Sequence, residues 1–329
     1  MIDLSKSNLT GSRDPWRSGV TIGIPVYNEE LFLEATIRSA APQCEVLLIA
    51  DNCSTDNSAR VVEKLAEEYP NVFFHRHKSN RGAAKNFEFI LNEANTPYFM
   101  WLGAHDLIPP KYVRCLKELL DKDLSASLAF GGAIHIDRIG KEVSRYQYAF
   151  SDHLAKSHAS ERLLAIIKYL YDCSLIHGLF RTPSLKTAWG DMHYLRGDHV
   201  LLAQAILCGK FLYAPETSLL RREVRHTISV AAQLERITAV KQEDRACLPP
   251  TEMQCAQYEL VVQESRRMVS GALAFRTSAR FWLVSRFGPF SKRKAGRIIE
   301  KVVYDFSRGM RICRRAIART ARLIKVERK

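Results

Sequence analysis

Short apolar runs alternate with amphipathic segments along the first third of the chain. Val20–Val26 (VTIGIPV) is a continuous apolar run of strand length, and Glu29–Ala40 follows with apolar positions at helical spacing. Glu45–Ala50 (EVLLIA) predicts a second strand. Ser54–Tyr69 predicts a helix, with Ser54 or Thr55 as its N-cap and Pro70 as its stop. Val72–His75 predicts a third strand, Ala83–Ala94 a helix, and Tyr98–Leu102 a fourth strand. Strand and helix alternating through short connections predict an α/β fold, a Rossmann-like, mostly parallel sheet with flanking helices on both faces. Ligands of such sheets sit at the C-terminal ends of the strands.

Polar residues gather at those ends. Pro25-Val-Tyr-Asn-Glu29 follows the first strand and Asp51-Asn-Cys-Ser-Thr-Asp56 the second. Asn80-Arg-Gly82 with Lys85-Asn86 follows the third, and His105 with Asp106 follows the fourth. Any one cluster alone is ordinary turn or cap chemistry. Four of them in register along one sheet edge point to a site. No G-x-G-x-x-G follows the first strand, which excludes the dinucleotide-binding reading.

The succession PVYNE, DNCSTD, NRGAAKN and an acidic residue followed by proline resembles the inverting, nucleotide-sugar-dependent glycosyltransferases of family 2, which have the GT-A fold. The resemblance covers about residues 18–230. It implies a catalytic domain over 19–235, with a nucleotide-sugar-binding half (19–122) and an acceptor half (123–235). A flexible lead-in (1–18) precedes it and a basic helical region (236–329) follows. By that resemblance, Pro25, Tyr27 and Glu29 line the pocket for base and ribose, and Asp51 and Asn52 read the base. The family more often has two acids at these positions, so Asn52 is a departure. Arg81 and Lys85 face the sugar-diphosphate, although Lys85 equally suits a solvated helix face.

A second departure lies within FMWLGAHDLIPP (Phe99–Pro110). The family usually carries two acids at this strand tip to hold a divalent cation, whereas here the residues are Gly103-Ala-His-Asp106. Asp106 is the expected ligand of Mg²⁺ or Mn²⁺, since one carboxylate with phosphates and water suffices for such ions. His105 is expected to hydrogen-bond ribose or backbone. Ligation by its nitrogen is the alternative, and would favour Mn²⁺ or another transition ion. Further on, LRGDHVLL (195–202) resembles the family's catalytic-base segment, which makes Asp198 the expected base, with helix capping as its competitor. Ser218–His226 resembles the segment set over the diphosphate. It implies that His226 completes the metal site or touches phosphate and that Arg221 or Arg222 neutralises charge. Ile176–Arg181 resembles a piece that lines the acceptor cleft.

Charge adds a separate feature. The net charge is +14, yet Arg266–Lys329 holds 19 Lys/Arg against three acidic residues, leaving the remainder near −2. Phe281, Trp282, Leu283, Phe287 and Phe290 are set among those arginines, a combination suited to an anionic membrane surface. Packing on the catalytic domain, or on a second subunit in a homo-oligomer, is the alternative. Nucleic acid is disfavoured because the tail carries no recognised module. No run reaches the roughly 18 apolar residues of a membrane span. The eight cysteines lack CxxC spacing and no signal peptide opens the chain, so reduced thiols and a cytoplasmic location, peripheral on the inner membrane face, are expected.

The resulting expectation is metal-assisted transfer of a sugar, with inversion, from a UDP-sugar to a glycan or lipid-linked acceptor in cell-surface polysaccharide biosynthesis. Two other classes stay open: a catalytically silent member that binds a sugar nucleotide or partner, and an interaction protein whose tail binds anionic polymers.

Overall fold

The structure, a computed structural model, describes residues 17–170, 173–189 and 197–224. These belong to the first of the two units into which the chain divides, Met1–Gln257. The lead-in up to residue 16, His226 and the basic tail lie outside the described residues.

The first half runs β1 (Val20–Val26), α1 (Leu33–Ala40), β2 (Val46–Asp51), α2 (Ser58–Glu68), β3 (Val72–Arg76), α3 (Ala83–Glu93) and β4 (Tyr98–Trp101). β1 lies between β2 and β4, parallel to both, with Thr21 opposite Val46 and Val20 opposite Tyr98. β3 extends the sheet in parallel beyond β2. Because side chains alternate across a strand, Ile22, Ile24, Leu47, Ile49 and Met100 join one core layer with Leu33 and Ile37 of α1 and Val62 and Leu65 of α2. The opposite face receives α3 at Gly23, where a Cβ would lie 2.2 Å from the Ile90 side chain. Trp101 stands on that face too, edge-on to Phe99 with ring centroids 4.9 Å apart.

Pro25 is tolerated inside a central strand for a geometric reason. Gly23 presents its carbonyl to the β4 side, accepting from Leu102 N–H at 2.9 Å, so Pro25 faces that side as well. The β4 register ends at Gly23–Trp101, so the missing N–H of Pro25 would have no ladder partner there.

Two helices begin later than the apolar pattern predicts. The Glu29 carbonyl accepts from both Phe32 and Leu33, so 29–32 forms a turn and α1 starts at Leu33. Ser54 and Thr55 are engaged in cross-loop bonds rather than in capping, so α2 starts at Ser58 behind Asn57.

The second half contributes α4 (Tyr112–Lys122), β5 (Ala126–Ile136), β6 (Glu142–Tyr146), α5 (Ser151–Leu154), α6 (Ala159–Tyr169), β7 (Leu179–Arg181), α7 (Thr182–Ala188), α8 (Gly197–Cys208) and β8 (Lys210–Arg222). The sheet order is β3-β2-β1-β4-β7-β5-β6, with β8 paired to β5 in parallel. β7 is antiparallel to both β4 and β5 and is the splice between the halves. A turn of 3₁₀ helix, Cys173–His177, leads into it. Arg181 tightens the splice by donating to the carbonyls of Leu120, at 2.6 Å, and Ala126, at 2.9 Å. α8 is buried along Val200–Ala203 and at Ala205 and Ile206, as expected of a helix packed on several sides.

The close approach of β8 to β5 depends on Gly131, where a Cβ would sit 2.7 Å from the Thr217 carbonyl oxygen and 3.0 Å from the Tyr112 ring. Gly131→Ala should therefore cost about 1–3 kcal/mol through overpacking. Thermal denaturation followed by circular dichroism checks this, and an unchanged melting temperature would contradict the packing described.

Candidate active site

The loops after β1 and β2 are stitched together before any ligand arrives. Asn28 takes a left-handed conformation (φ 55°), which asparagine tolerates better than most residues. Its N–H donates to Ser54 Oγ at 2.9 Å, and its side-chain oxygen accepts from the Thr55 N–H at 2.9 Å. Glu29 N–H donates to Ser58 Oγ at 2.8 Å, and Glu30 N–H to Asp56 at 3.1 Å. Asp56 is partly buried, which alone would push its carboxyl up, but bonds from Ser58 and from the Glu30 N–H outweigh this and hold it below the ordinary carboxylate range. Pro25 and Glu29 thus line a rigid edge, and Tyr27 stands out from it, 41% exposed.

Asp51 ends β2 with its carboxylate fully buried. Both oxygens are engaged: the Ser54 hydroxyl and N–H donate to it, and Arg76 Nε lies 3.1 Å away. Arg76 also donates to the Ser54 carbonyl at 2.8 Å. Asn52, likewise buried, donates to the Asn80 side chain at 2.9 Å and accepts from the Arg81 N–H at 2.9 Å. Asp51 and Asn52 therefore shape the loops at this corner. The Asn80 side chain in turn accepts from Gly82 N–H at 2.9 Å. Gly82 has φ 82°, a turn that favours glycine, and α3 follows it with no side chain capping its N-terminus. Its first N–H groups form a ready anion site, beside which Arg81 and Lys85 are both exposed. Asn86, one turn further, ties α3 to the sheet through the Ala50 carbonyl at 2.9 Å.

The tip of β4 carries His105 and Asp106. His105 Nδ1 is 3.1 Å from Glu29 Oε2, so this half-buried imidazole is paired across the edge. Asp106 is 2% exposed. Its Oδ1 accepts from the Arg222 N–H at 2.9 Å, and its Oδ2 is bonded to none of the described residues. Oδ2 lies over Gly103, where a Cβ would come within 2.4 Å of it. The carboxylate is thus held by one oxygen with the other available, a donor set that suits Mg²⁺ or Mn²⁺.

Arg222 acts on protein groups. Its guanidinium donates to the carbonyls of His105 (3.2 Å), Asp137 (2.9 Å) and Arg138 (3.0 Å) and lies 4.7 Å over the Phe32 ring. Arg221 instead donates to Ser174 Oγ at 3.1 Å. His177 Nδ1 bonds the Trp101 carbonyl at 3.0 Å, fixing the same turn against β4.

Next to Ser174 is Cys173, and here the base candidate is found. Asp198 opens α8, and its Oδ1 accepts from the His199 N–H at 2.9 Å and lies 3.2 Å from His199 Nδ1. Cys173 Sγ is 3.0 Å from the same nitrogen. Burial alone would push the Asp198 carboxyl up, yet bonds from His199 outweigh it and leave it below the ordinary carboxylate range. Contacts through Arg222, Arg221, Ser174 and Cys173 therefore run continuously from Asp106 to Asp198. Sequence reasoning brought out both ends, and Asn80 within its Asn-Arg-Gly cluster, but missed Cys173 and Arg76. A cysteine 26 positions from its histidine carries no spacing signal.

A mostly parallel α/β sheet with carboxylates at these strand tips defines a GT-A glycosyltransferase architecture. The chain belongs to glycosyl transferase family 2, whose family model matches residues 21–226. No curated protein matches the sequence. Among solved structures, S. aureus TarS 1–349 in complex with UDP-GlcNAc is similar at TM-score 0.60 and 17% identity, over 84% of this chain and 74% of that one. TarS 1–349 without a named ligand aligns at TM-score 0.59 and 18% identity, over 84% and 73% of the two chains. Its complex with UDP aligns at 0.57 and 16%, over 80% and 71%.

Because Arg222 satisfies three carbonyls, both Arg222→Ala and Arg222→Lys should destabilise the protein by about 1–3 kcal/mol, lysine lacking the planar fork. Urea unfolding checks this. Full stability in Arg222→Lys would mean that charge alone suffices.

Proposed function

We propose that this glycosyltransferase moves a sugar with inversion from a UDP-sugar to a hydroxyl of a glycan or lipid-linked acceptor, in cell-surface polysaccharide synthesis. The observation that carries this reading is a pair of differently held carboxylates linked by a continuous run of contacts through Arg222, Arg221, Ser174, Cys173 and His199. Asp106 has an open oxygen, and Asp198 is kept ionised and partly exposed at the mouth of α8. The UDP and UDP-GlcNAc held by TarS make uridine donors the first to test.

In this reading Pro25, Tyr27 and Glu29 flank the base and ribose, and the corner built by Asp51 and Asn52 fixes the wall against which the base is read. Arg81, Lys85 and the uncapped start of α3 face the diphosphate. Asp106 holds the divalent ion, Mg²⁺ or Mn²⁺, with His226 as a further ligand and His105 oriented by Glu29 toward the ribose. The ion, when bound, neutralises the charge that develops on the departing diphosphate. Asp198 accepts the proton of the attacking hydroxyl on the opposite side of the sugar. His199 keeps that carboxylate deprotonated before the acceptor arrives. The catalytic domain is assigned to 19–235, and the basic region 236–329 would carry the enzyme to an anionic inner membrane face where a lipid-linked acceptor resides. Among the described residues, no helix is long and apolar enough to cross a membrane.

Release of UDP from UDP-GlcNAc and other UDP-sugars in Mn²⁺ tests the reading. Asp106→Asn should lower turnover roughly 100-fold or more, the several kcal/mol of charge stabilisation an ion supplies. Gly103→Ala reaches the same carboxylate without removing it, since its Cβ would come within 2.4 Å of Asp106 Oδ2. It should lower the melting temperature, because the buried carboxylate is pinned by Arg222, and abolish Mn²⁺ activation. Full Mn²⁺-dependent turnover in both variants would refute the assignment.

The pH dependence tests the base. Asp198 works when deprotonated, and its depressed pKa extends activity to low pH. Removing the His199 side chain takes away the largest opposition to burial and leaves only the main-chain N–H and Cys173 against it, so that pKa rises and the acid limb of kcat/KM should move to higher pH in His199→Ala. An unmoved limb would assign the base elsewhere.

A further inference from the structure

We propose that Cys173, His199 and Asp198 form a thiolate-containing site for a zinc-class transition metal, separate in chemistry from the oxygen-lined position at Asp106. The convergence of donor atoms carries this inference. Cys173 Sγ lies 3.0 Å from His199 Nδ1 and Asp198 Oδ1 lies 3.2 Å from the same atom. One ligand atom from each of the three residues falls within 4.8 Å of the others. In a tetrahedral site with Zn–S of about 2.3 Å, Zn–N of about 2.0–2.1 Å and Zn–O of about 2.0–2.2 Å, the sulfur–nitrogen separation is about 3.5 Å and the nitrogen–oxygen separation about 3.4 Å. The observed separations need to open by only a few tenths of an ångström.

A cysteine nucleophile activated by a histidine–aspartate pair would use the same residue types but a different geometry. There the thiol and the carboxylate bond opposite ring nitrogens, so that one side takes the proton while the other orients the ring. Here the sulfur lies 3.0 Å from Nδ1 and 3.4 Å from Nε2, so its nearer nitrogen is the one the carboxylate also meets, and the thiol is not held at the nitrogen opposite the carboxylate. Donor atoms that converge on one side of the ring in this way can share a cation. The elements behind them also hold the arrangement. Arg221 bonds Ser174, the next residue after Cys173, and α8 carries both His199 and Asp198. Three protein donors leave a fourth position open. Sulfur and imidazole select zinc-class ions over Mg²⁺. On binding, the Cys173 S–H bond is replaced by a metal–sulfur bond and its proton passes to solvent.

The site has a consequence that rests on the function proposed above. Asp198 cannot be both a ligand and the acceptor's base, so a bound zinc ion silences transfer while the Asp106 position keeps its Mg²⁺ or Mn²⁺. The cluster then sets the enzyme's sensitivity to free zinc.

Spectroscopy on the full-length, chelator-treated protein tests the site without reference to activity. Titration with Co²⁺ should produce a thiolate-to-metal charge-transfer band in the near ultraviolet, saturating at about one ion per chain and bleached by Zn²⁺. Cys173→Ser should lose the band, although the other seven cysteines of the chain remain. Asp198→Asn should keep the band but weaken Co²⁺ binding by roughly tenfold or more. X-ray absorption of the Zn²⁺-loaded wild type needs no variant and should show one sulfur among nitrogen and oxygen neighbours. No band in the wild type, a band that survives Cys173→Ser in folded protein, or a zinc shell without sulfur would each overturn the site. Zinc inhibition of Mn²⁺-supported UDP release is read separately. A protein that shows the cobalt band but no transfer retains the site and loses the function, and the reverse result does the opposite.

Discussion

The hydrogen bond from the Arg222 main chain to Asp106 is the contact on which the rest of the site depends. It joins the tip of β4, in the half that carries the loops after β1–β3, to the end of β8, in the half that carries α8. Leu107 and Leu220 reinforce it by exchanging main-chain bonds at 2.9 Å in both directions. The Asp106 carboxylate therefore cannot rotate freely: one oxygen is fixed by protein and the other is turned over Gly103. A polar side chain buried this deeply is tolerated only if its remaining lone pairs meet a donor or an ion.

Three carboxylates are held in three ways. Asp51 is wholly buried with both oxygens engaged by Ser54 and Arg76. Asp106 is half satisfied. Asp198 is satisfied by its own neighbour, His199, and stays partly open to solvent. The identity of the donors that meet each carboxylate decides what the group can still do.

The same economy of contacts explains how several charged residues are held by protein groups. Arg222 bonds three carbonyls and stacks on Phe32, and Arg181 clasps the ends of α4 and β5 around the Tyr98 ring. Guanidinium groups with five rigid donors are suited to such multi-carbonyl corners. Their positions in the sequence, inside segments resembling phosphate or acceptor contacts, gave no hint of this use.

The apolar runs and the punctuation between them determined the first half of the fold. Strands that must be buried on both faces have to be continuously apolar, and the turns between parallel strands and helices have to be polar, so β1–β4 and their tip residues were legible from pattern alone. The family resemblance added Asp106 and Asp198. Tertiary structure decided what local pattern cannot carry: that Ser54 and Thr55 bond across loops instead of capping α2, that Asn52 reaches Asn80, and that β7 enters antiparallel to splice the halves. It also decided that Cys173 meets His199 and Asp198. The hydrogen bonds among these join residues 26–28 positions apart, and the β4–β7 pairing joins Tyr98 to Arg181, 83 positions apart. Periodicity records only which side of its own element a residue faces, whereas the packing of the whole sheet determines which distant group stands opposite.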